Sequence, residues 1–442
     1  MEIIPLIFIL LVCASLLMGF PVAFTLAGIS VLYALIGVII GFFDVNLFKN
    51  IPIRIYGIMN NQTLLAVPLF IYMGVTLEKS GIAASMLSEM GKAFAKVKSG
   101  LGISIILVGT LLAASTGIVG ATVVTMGLMS LPILLKQGYS KEFSTGLVAA
   151  TGTLGQIIPP SIALVLLGDV MSNAYQRAQN NLGIFSQKTV SVGDLFIGAI
   201  IPGLLICVGY LMYTILVNRK KILEVETNNQ NTNLIRTLFP PFLLIFVVLG
   251  SIIAGVATPT EAAGIGALGS FMIATFSNKT SINLFKDISF QSAKITTMIF
   301  AILIGASIFS LVFRGIGGDD LIDQIFGALP GGQYTALLII LFGIFIIGFI
   351  LDFIEICYVI VPLIAPPLLM MGFDPVWLSI LLAIVLQTSF LTPPFGFSLF
   401  YLRGVAGDNI QTKEIYKGVV PFIIIQLVAL ALVILFPWIL IL

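Results

Sequence analysis

Long apolar runs without charged residues are the feature that most limits how this chain can fold. Several of these runs reach the length of about 20 residues that an α-helix needs to cross about 30 Å of hydrocarbon. Only 9% of the 442 residues are charged, whereas a soluble domain carries about 25% charged residues. The runs are continuous rather than alternating, which favours spanning helices over a β-barrel. The sequence therefore predicts an all-α polytopic membrane protein.

An internal duplication organises the chain. A shift of 234 residues aligns four landmarks with their counterparts: Gly109 with Gly343, Pro132 with Pro366, Gly138-Tyr139 with Gly372-Phe373, and Pro159-Pro160 with Pro393-Pro394. A shift of 237 residues aligns the Asn-Leu-Phe-Lys motif at 46–49 with its copy at 283–286. Coincidence can explain one or two such matches but not all of them. We predict two repeats, 1–217 and 236–442, joined by a linker at 218–235.

The two repeats contain the same order of segments. In the first repeat we predict spans at 3–19, 22–42 and 62–78, a hairpin at 100–135, a broken helix at 143–171 and a span at 194–217. In the second we predict spans at 236–255, 260–276 and 294–313, a hairpin at 333–371, a broken helix at 376–404 and a span at 418–440. The arms at 44–60 and 277–293 resemble amphipathic helices that lie at the membrane faces.

Segment 100–135 is too long for one spanning helix and barely long enough for two. Its roughly 35 residues correspond to about 52 Å of helix, and the Gly- and Thr-rich stretch 115–122 in its middle favours a turn. We predict a re-entrant hairpin here and a second one at 333–371. Each repeat then crosses the membrane five times, and an odd number of crossings makes the two repeats inverted relative to each other.

The distribution of basic residues supports this topology. With the linker in the cytoplasm, both termini lie outside, and 16 of the 21 Lys and Arg residues fall on the cytoplasmic side. This bias agrees with the positive-inside rule.

Several kinds of chemistry are excluded by composition. The chain has no histidine, and its cysteines, Cys13, Cys207 and Cys357, lie far apart inside apolar runs. Histidine-based zinc sites, His-assisted nucleophiles and a disulfide framework are therefore not expected. The net charge of +2 gives no sign of nucleic-acid binding. We expect lipid contacts, no nucleic-acid partner, no organic cofactor and no enzymatic activity.

Two Pro-Pro pairs interrupt helices at membrane depth, one within 151–161 and the other within 387–396. Proline removes a backbone donor and clashes with the preceding turn. In a membrane, such a break is tolerated where the backbone is buried in protein or lines a cavity. The freed carbonyls suit a desolvated Na⁺, and the N-terminus of the following half-helix suits an anion. A simple kink is the alternative, but two breaks at corresponding positions favour ion sites.

The predicted hairpin tips carry the remaining candidates. Small and hydroxyl residues cluster at the first tip, although such residues also serve helix packing in lipid. Asp352 and Glu355 are the only charged residues in the 39-residue stretch 333–371. An intramembrane carboxylate is a functional candidate; the alternatives are a tip that faces water and a simple helix start. Thr258-Pro259-Thr260-Glu261 is typical of a capped helix start.

These motifs, in this order, resemble the large membrane subunit of the tripartite ATP-independent periplasmic (TRAP) transporters. The matching elements are Ala-Thr-Pro-Thr-Glu-Ala at 257–262, Gly-Tyr at 138–139, Gly-Thr-Leu-Gly-x-x-Ile-Pro-Pro-Ser at 152–161 and Thr-Pro-Pro-x-Gly at 392–396. The resemblance covers nearly the whole chain. It implies a sodium-coupled importer (a symporter) of small organic anions in the bacterial inner membrane, built as a scaffold and a mobile transport domain in an elevator arrangement.

The resemblance also implies partners and ligands. The partners are a separate periplasmic substrate-binding protein and a small four-helix membrane subunit. Sodium ligands, largely carbonyls, fall on Ser115, Thr116, Gly155, Ile158 and Pro160 for one site and on Asp352, Thr388 and Thr392 for a second. We place the substrate beside the same breaks and the first hairpin tip, at Thr122, Ser161, Ser389 and Gly396. The Asp-Phe-Ile-Glu tip differs from the commoner family form, and this predicts a substrate other than a typical dicarboxylate or sialic acid.

Other functions remain as alternatives. A stand-alone elevator carrier of citrate or dicarboxylates would share the hairpins but need no binding protein. An intramembrane enzyme would have only Asp352 and Glu355 as paired acids, and a channel would favour a pore formed by identical subunits. The sequence names no arginine pair for a carboxylate, and helix N-termini are expected to hold the anion instead.

Overall fold

The computed structural model describes residues 3–94, 97–117, 119–186, 188–218, 234–277, 281–407 and 409–440. These residues form helices and include no strand. The helices are α1 (Ile3–Leu17), α2 (Val22–Ile40), α3 (Asn50–Met59), α4 (Ala66–Lys79), α5 (Ile82–Ala93), α6 (Gly100–Thr116), α7 (Val119–Lys136), α8 (Lys141–Thr153), α9 (Ile162–Asn181), α10 (Val192–Val217), α11 (Leu234–Ile253), α12 (Pro259–Phe276), α13 (Ile282–Gly315), α14 (Gly318–Ala328), α15 (Gln333–Ile347), α16 (Phe353–Glu355), α17 (Val361–Met370), α18 (Pro375–Leu391), α19 (Phe397–Val405) and α20 (Thr412–Leu435).

Helix length and composition agree with a membrane protein. Among the described residues, seven helical segments are long and apolar enough to cross a membrane: Val22–Ile40, Val119–Lys136, Val192–Val217, Leu234–Ile253, Ile282–Gly315, Phe353–Met370 and Thr412–Leu435. The predicted all-α polytopic class is confirmed. Most of the predicted linker at 218–235 lies outside the described residues, and the inverted orientation of the two repeats stays a prediction.

The predicted hairpin segments each contain helices joined by a turn. In the first segment α6 ends at Thr116 and α7 begins at Val119, with Gly117 at a φ of +59°. Glycine tolerates this left-handed conformation because it has no Cβ. In the second segment α15 is followed by a turn, by α16, by a π-helical stretch at Ile356–Ile360 and by α17. The re-entrant course of both segments stays a prediction.

The chain packs into two compact units, and each unit draws on both sequence repeats. The first unit contains Met1–Leu65, Leu166–Ser191 and Ala293–Pro375, and the second contains Ala66–Val165, Val192–Ser292 and Val376–Leu442. Repeats in sequence and compact units in space are therefore different divisions of this chain.

Aromatic packing holds the first unit together. The rings of Phe8 and Phe309 stack at 5.2 Å between centroids, and Phe309 stacks on Phe313 at 5.9 Å. These side chains belong to a buried cluster with α2 and α17. A Cβ on Gly305 would lie 2.5 Å from the Ala23 carbonyl oxygen, and so α13 and α2 approach each other closely. Such close approach through small residues is typical of helices in lipid.

Helix α8 lies at the centre of the second unit. Every residue from Phe143 to Thr153 is buried. It crosses α20 at two glycines: a Cβ on Gly146 would lie 2.0 Å from the Gly418 carbonyl oxygen, and a Cβ on Gly418 would lie 2.0 Å from the Glu142 carbonyl oxygen. The helix that enters the first break is therefore tightly held.

The predicted helix start at Thr258 is confirmed. The Glu261 backbone N–H donates to the Thr258 hydroxyl (3.3 Å), and the Thr258 backbone N–H donates to the Glu261 carboxylate (2.8 Å). Pro259 is the first residue of α12. This reciprocal arrangement satisfies two N–H groups that the helix itself leaves unpaired.

Candidate ion and substrate sites

The first helix break is bridged by a buried serine. Helix α8 ends at Thr153, a 3₁₀ turn spans Leu154–Gln156, and α9 begins at Ile162. The Ser161 hydroxyl donates to the Gly155 carbonyl at 2.6 Å, and the Leu164 backbone N–H donates to the same hydroxyl at 3.4 Å. Ser161 thus caps α9 and ties it to the end of the preceding half-helix.

The first hairpin tip packs on this break. A Cβ on Gly155 would lie 2.6 Å from the Ala113 carbonyl oxygen near the end of α6. A Cβ on Gly117 would lie 2.7 Å from the Cβ of Ile162. The structure therefore brings the tip of the first hairpin and the first break together, as the predicted first sodium site requires.

The other residues of that site have different surroundings. Ser115 and Thr116 end α6, and their side chains lie outside the described part of the structure. Pro160 is buried, Ile158 packs against Gly203, and Thr122 is buried on α7. The Pro159-Pro160 peptide bond is cis. Of this group, Gly155 makes the closest described approach to the tip backbone.

The second break repeats the serine bridge. Helix α18 ends at Leu391 and α19 begins at Phe397. The buried Ser398 hydroxyl donates to the Phe390 carbonyl at 2.7 Å. Pro393-Pro394 is also a cis bond. Sequence reasoning missed Ser398 because it lies outside the Thr-Pro-Pro-x-Gly motif.

The two predicted sodium-binding threonines lie on the helix before this break. The Thr388 hydroxyl donates to the Ile384 carbonyl and the Thr392 hydroxyl donates to the Thr388 carbonyl, both at 2.7 Å. Each hydroxyl oxygen keeps acceptor capacity for a cation because a hydroxyl has two lone pairs. Ser389 is buried, and the Gly396 N–H donates to the Thr392 carbonyl at 3.0 Å.

The half-helix after the second break packs on the first hairpin. A Cβ on Gly120 of α7 would lie 2.8 Å from the Tyr401 ring, and a Cβ on Gly127 would lie 2.8 Å from the Val405 side chain. Both residues in each pair belong to the second unit. The second unit thus holds both breaks and the first hairpin.

Asp352 and Glu355 form a helix cap in the first unit. The Phe353 backbone N–H donates to the Asp352 carboxylate at 2.7 Å, and the Asp352 backbone N–H donates to the Glu355 carboxylate at 3.0 Å. This is the helix-start arrangement that was one alternative for these acids. Thr388 and Thr392 belong to the second unit, and a sodium-binding role for Asp352 stays a prediction.

A buried polar cluster connects the helices that lead into the breaks. The Gln426 amide nitrogen donates to the Tyr210 hydroxyl at 2.6 Å and to the Thr153 hydroxyl at 3.4 Å. The Gln387 side chain lies beside the Tyr210 hydroxyl and is itself fully buried. The 234-residue shift relates Thr153 to Gln387. The sequence signal that could have indicated this cluster is a glutamine in an otherwise apolar run, as at Gln387 and Gln426.

An arginine-lined cavity lies within the first unit, where the sequence predicted no site. It has a volume of about 460 Å³. Its charged and polar lining includes Arg54, Asn61, Asp169, Arg177, Ser307 and Tyr358. A second cavity, of about 280 Å³, shares Arg177 and adds Arg314. All three arginines are among the five basic residues that the topology prediction places outside. Their position on the side with few basic residues was the sequence signal that could have indicated this cavity.

The comparisons with known proteins agree with this architecture. A profile of the family described as "Tripartite ATP-independent periplasmic transporter, DctM component" matches residues 8–439. The chain belongs to this family. It is 27% identical to the C4-dicarboxylate TRAP transporter large permease protein DctM of Vibrio cholerae, over 97% of this chain and 95% of that protein. It is 28% identical to the ectoine TRAP transporter large permease protein TeaC of Halomonas elongata, over 96% and 94%.

A solved structure shows the same fold. The Alcanivorax borkumensis YdaH transporter, whose crystal structure is described as having an unusual topology, superposes with a TM-score of 0.65 at 13% identity and covers 90% of both chains. At this identity the likeness concerns the fold alone. Together these findings confirm the predicted resemblance and the absence of an enzymatic role. The protein is a multi-pass inner-membrane permease, the large component of a TRAP transporter, in a family that works with a small membrane subunit and a periplasmic binding protein.

Proposed function

We propose that this permease imports a small organic anion by sodium symport, with an elevator-type mechanism. The observation that carries the proposal is that both Pro-Pro breaks lie in one compact unit, with the first hairpin tip packed on the first break. An elevator moves its ion sites together with the substrate site as one body. The second unit is the candidate for that moving body.

Sodium coupling is supported by the donor groups at the breaks. Carbonyls freed by prolines, together with the hydroxyls of Thr388 and Thr392, are hard neutral oxygen donors of the kind that alkali cations prefer. Among the described residues, no cluster of three or more His, Cys, Asp or Glu side chains offers a transition-metal site. A cation held between the tip of α6 and residues 155–160 would fasten the hairpin to the break.

Membership of the family supports the proposed substrate and partners. The relatives are named for a C4-dicarboxylate and for ectoine, which supports a small organic solute. The N-termini of α9 and α19, beside Ser161 and Gly396, supply positive ends of helix dipoles for an anion. A separate periplasmic binding protein delivers the substrate, and a small four-helix membrane subunit assembles with this chain. Both termini face the periplasm and the linker faces the cytoplasm.

Uptake into proteoliposomes tests this proposal. The permease is reconstituted with its small membrane subunit, the binding protein is added outside, and uptake of succinate, sialic acid and ectoine is measured with and without an inward sodium gradient. We expect uptake to require both sodium and the binding protein. Sodium-driven uptake without the binding protein would indicate a stand-alone carrier, and uptake indifferent to sodium would exclude symport.

Two matched threonine variants locate the ion. Thr392→Ala removes an oxygen ligand at the second break. We expect the half-saturating sodium concentration to rise about tenfold, an effect comparable to the loss of one hydrogen bond to a charged group. Thr275→Ala is the control, because the exposed Thr275 hydroxyl likewise donates to its own helix (2.9 Å to the Phe271 carbonyl). Equal sodium dependence of the two variants would remove Thr392 from the site.

A further inference from the structure

We propose that the cavity of the first unit is a carboxylate-binding site, separate from the substrate site at the helix breaks, in which Arg54 and Arg177 bind the organic anion before the second unit carries it. The identity of the anion as the transported solute rests on the proposed function. The existence of the site does not, because it follows from the charges and geometry of the cavity.

Arg54 is oriented but not neutralised. Its Nη1 donates to the Ser307 carbonyl at 3.2 Å, which uses one of the five N–H donors of a guanidinium. Burial lowers the pKa of Arg54, and the charge of Arg314 lowers this pKa further. A guanidinium nevertheless stays protonated at physiological pH. Arg54 therefore presents a fixed positive charge and several unused donors.

Arg177 contributes a second positive charge from a different element. It lies on α9, whereas Arg54 lies on α3. The ion pairs found among the described residues include neither arginine. A half-buried cation without a counter-ion is costly, and a ligand with a negative charge would relieve that cost.

The one carboxylate that lines the cavity already has a partner. Asp169 accepts a hydrogen bond from the Asn61 amide at 2.7 Å. It forms no ion pair with Arg54 or Arg177, so the two arginines against one aspartate leave an excess of positive charge in the lining. Arginine pairs are suited to carboxylates because a guanidinium can donate two parallel hydrogen bonds to one carboxylate group.

The size and lining of the cavity fit a small solute. Its volume of about 460 Å³ falls within the range of about 300–1,000 Å³ that is usual for small-molecule sites. Asn173 and Ser310 also line the cavity, and their amide and hydroxyl groups can pair with hydroxyl or amide groups of an organic acid. A phospholipid phosphate could use the same arginines, but its acyl chains would leave the polar side chains of the lining without partners, whereas an organic acid can satisfy them.

Chemical protection tests the site without any need for transport. The reconstituted permease is treated with phenylglyoxal, which modifies accessible arginines, and modification of each arginine is followed by peptide mass spectrometry. The probes are acetate, succinate, citrate and sialic acid, with succinamide as the uncharged match for succinate. We expect at least one carboxylate to slow modification of Arg54 and Arg177 several-fold, whereas Arg236, an exposed arginine of α11, reacts at an unchanged rate.

Variants assign the effect to the two arginines. The carboxylate identified by protection is expected to raise the unfolding temperature of the wild type. In Arg177→Gln or Arg54→Gln, the carboxylate concentration that gives half of this stabilisation should rise by about tenfold or more, the usual effect of losing a charge-assisted hydrogen bond. Arg177→Lys keeps the charge and should retain part of the affinity. Arg236→Gln is the matched control and should bind like the wild type.

The outcomes separate this inference from the proposed function. If no carboxylate protects Arg54 or Arg177, or if Arg177→Gln binds like the wild type, the site is wrong even if sodium-driven uptake is found. If protection occurs but sodium-driven uptake of every probe fails, the site stands and the transport proposal fails. Protection by phosphatidylglycerol in nanodiscs, without protection by any soluble carboxylate, would make this a lipid site and overturn the inference.

Discussion

The two helix breaks of the second unit share a design but not an environment. Both contain a Pro-Pro pair, and both are bridged by a buried serine hydroxyl that donates to a carbonyl before the break. The first break is buried almost throughout, whereas at the second Pro394 and Phe395 are exposed, Phe395 to 55%. The two breaks therefore share a local motif but differ in their neighbours.

The difference follows from the hairpins. The first hairpin tip belongs to the same unit as its break and covers it through Ala113 and Gly117. The second hairpin segment lies in the first unit, with its Asp352 cap. The first break is therefore covered by a hairpin of the same unit, whereas the second break has no hairpin of its own repeat within this unit. The backbone of the first break is therefore held by the hairpin tip, whereas an ion or solute can reach the exposed part of the second break.

Cysteine labelling should show the largest contrast between the breaks. In a background where Cys13, Cys207 and Cys357 are replaced by alanine, Phe395→Cys should react with N-ethylmaleimide much faster than Ile157→Cys, which replaces a side chain with no exposed surface. A rate ratio on the order of a hundredfold is expected if opening the first break costs about 3 kcal/mol. The reaction is followed by intact-mass spectrometry.

Leu391→Cys serves as the control because it lies next to the second break but is fully buried. It should react slowly. Similar labelling rates at positions 395 and 157 would mean that the two breaks are equally accessible, which contradicts the greater exposure of the second break.

A glycine-to-alanine substitution should destabilise the protein at the first break and stabilise it next to the second. Gly155→Ala places a Cβ 2.6 Å from the Ala113 carbonyl oxygen, and the resulting overpacking should cost about 1–3 kcal/mol. Gly404→Ala, in the half-helix after the second break, meets no atom within 4 Å and should stabilise by about 0.5–1 kcal/mol through helix propensity. Thermal unfolding of the purified permease measures both; a Gly155→Ala variant as stable as the wild type would show that the hairpin tip does not lie on the break.

The bridging serines should give the smallest contrast. Ser161→Ala leaves the buried Gly155 carbonyl without its hydrogen bond and should cost about 1–3 kcal/mol. Ser398→Ala should cost nearer about 0.5–1.5 kcal/mol, because the Ser398 hydroxyl bridges to one carbonyl, whereas the Ser161 hydroxyl also accepts from the Leu164 backbone N–H. Denaturant or thermal unfolding of the two variants, compared side by side, checks the order, and a larger loss for Ser398→Ala would contradict it.

Features that depend on neighbours along the chain were predictable from the sequence. The apolar runs indicated the membrane class, the Pro-Pro pairs predicted the ends of α8 and α18 closely, and the Thr258–Glu261 cap formed as expected. These features are set within a few residues, since proline chemistry and capping act over one helical turn. The proposed sodium ligands at the breaks are those that the family resemblance implies, and their ion-binding role is still a prediction.

Only the tertiary structure decided which distant residues meet. Arg54 and Arg177 lie on different helices far apart in the sequence and line one cavity, and no local pattern pairs them. Gln426 likewise donates to the hydroxyls of Thr153 and Tyr210, which lie on two other helices far away in the sequence. The sequence by itself determined a polytopic helical membrane protein with two helices interrupted at Pro-Pro pairs, because hydrophobic length and proline geometry are local properties. Packing decided that one break is covered, that the other is open and that two arginines face a common space, because contacts between distant segments depend on how whole helices fit together.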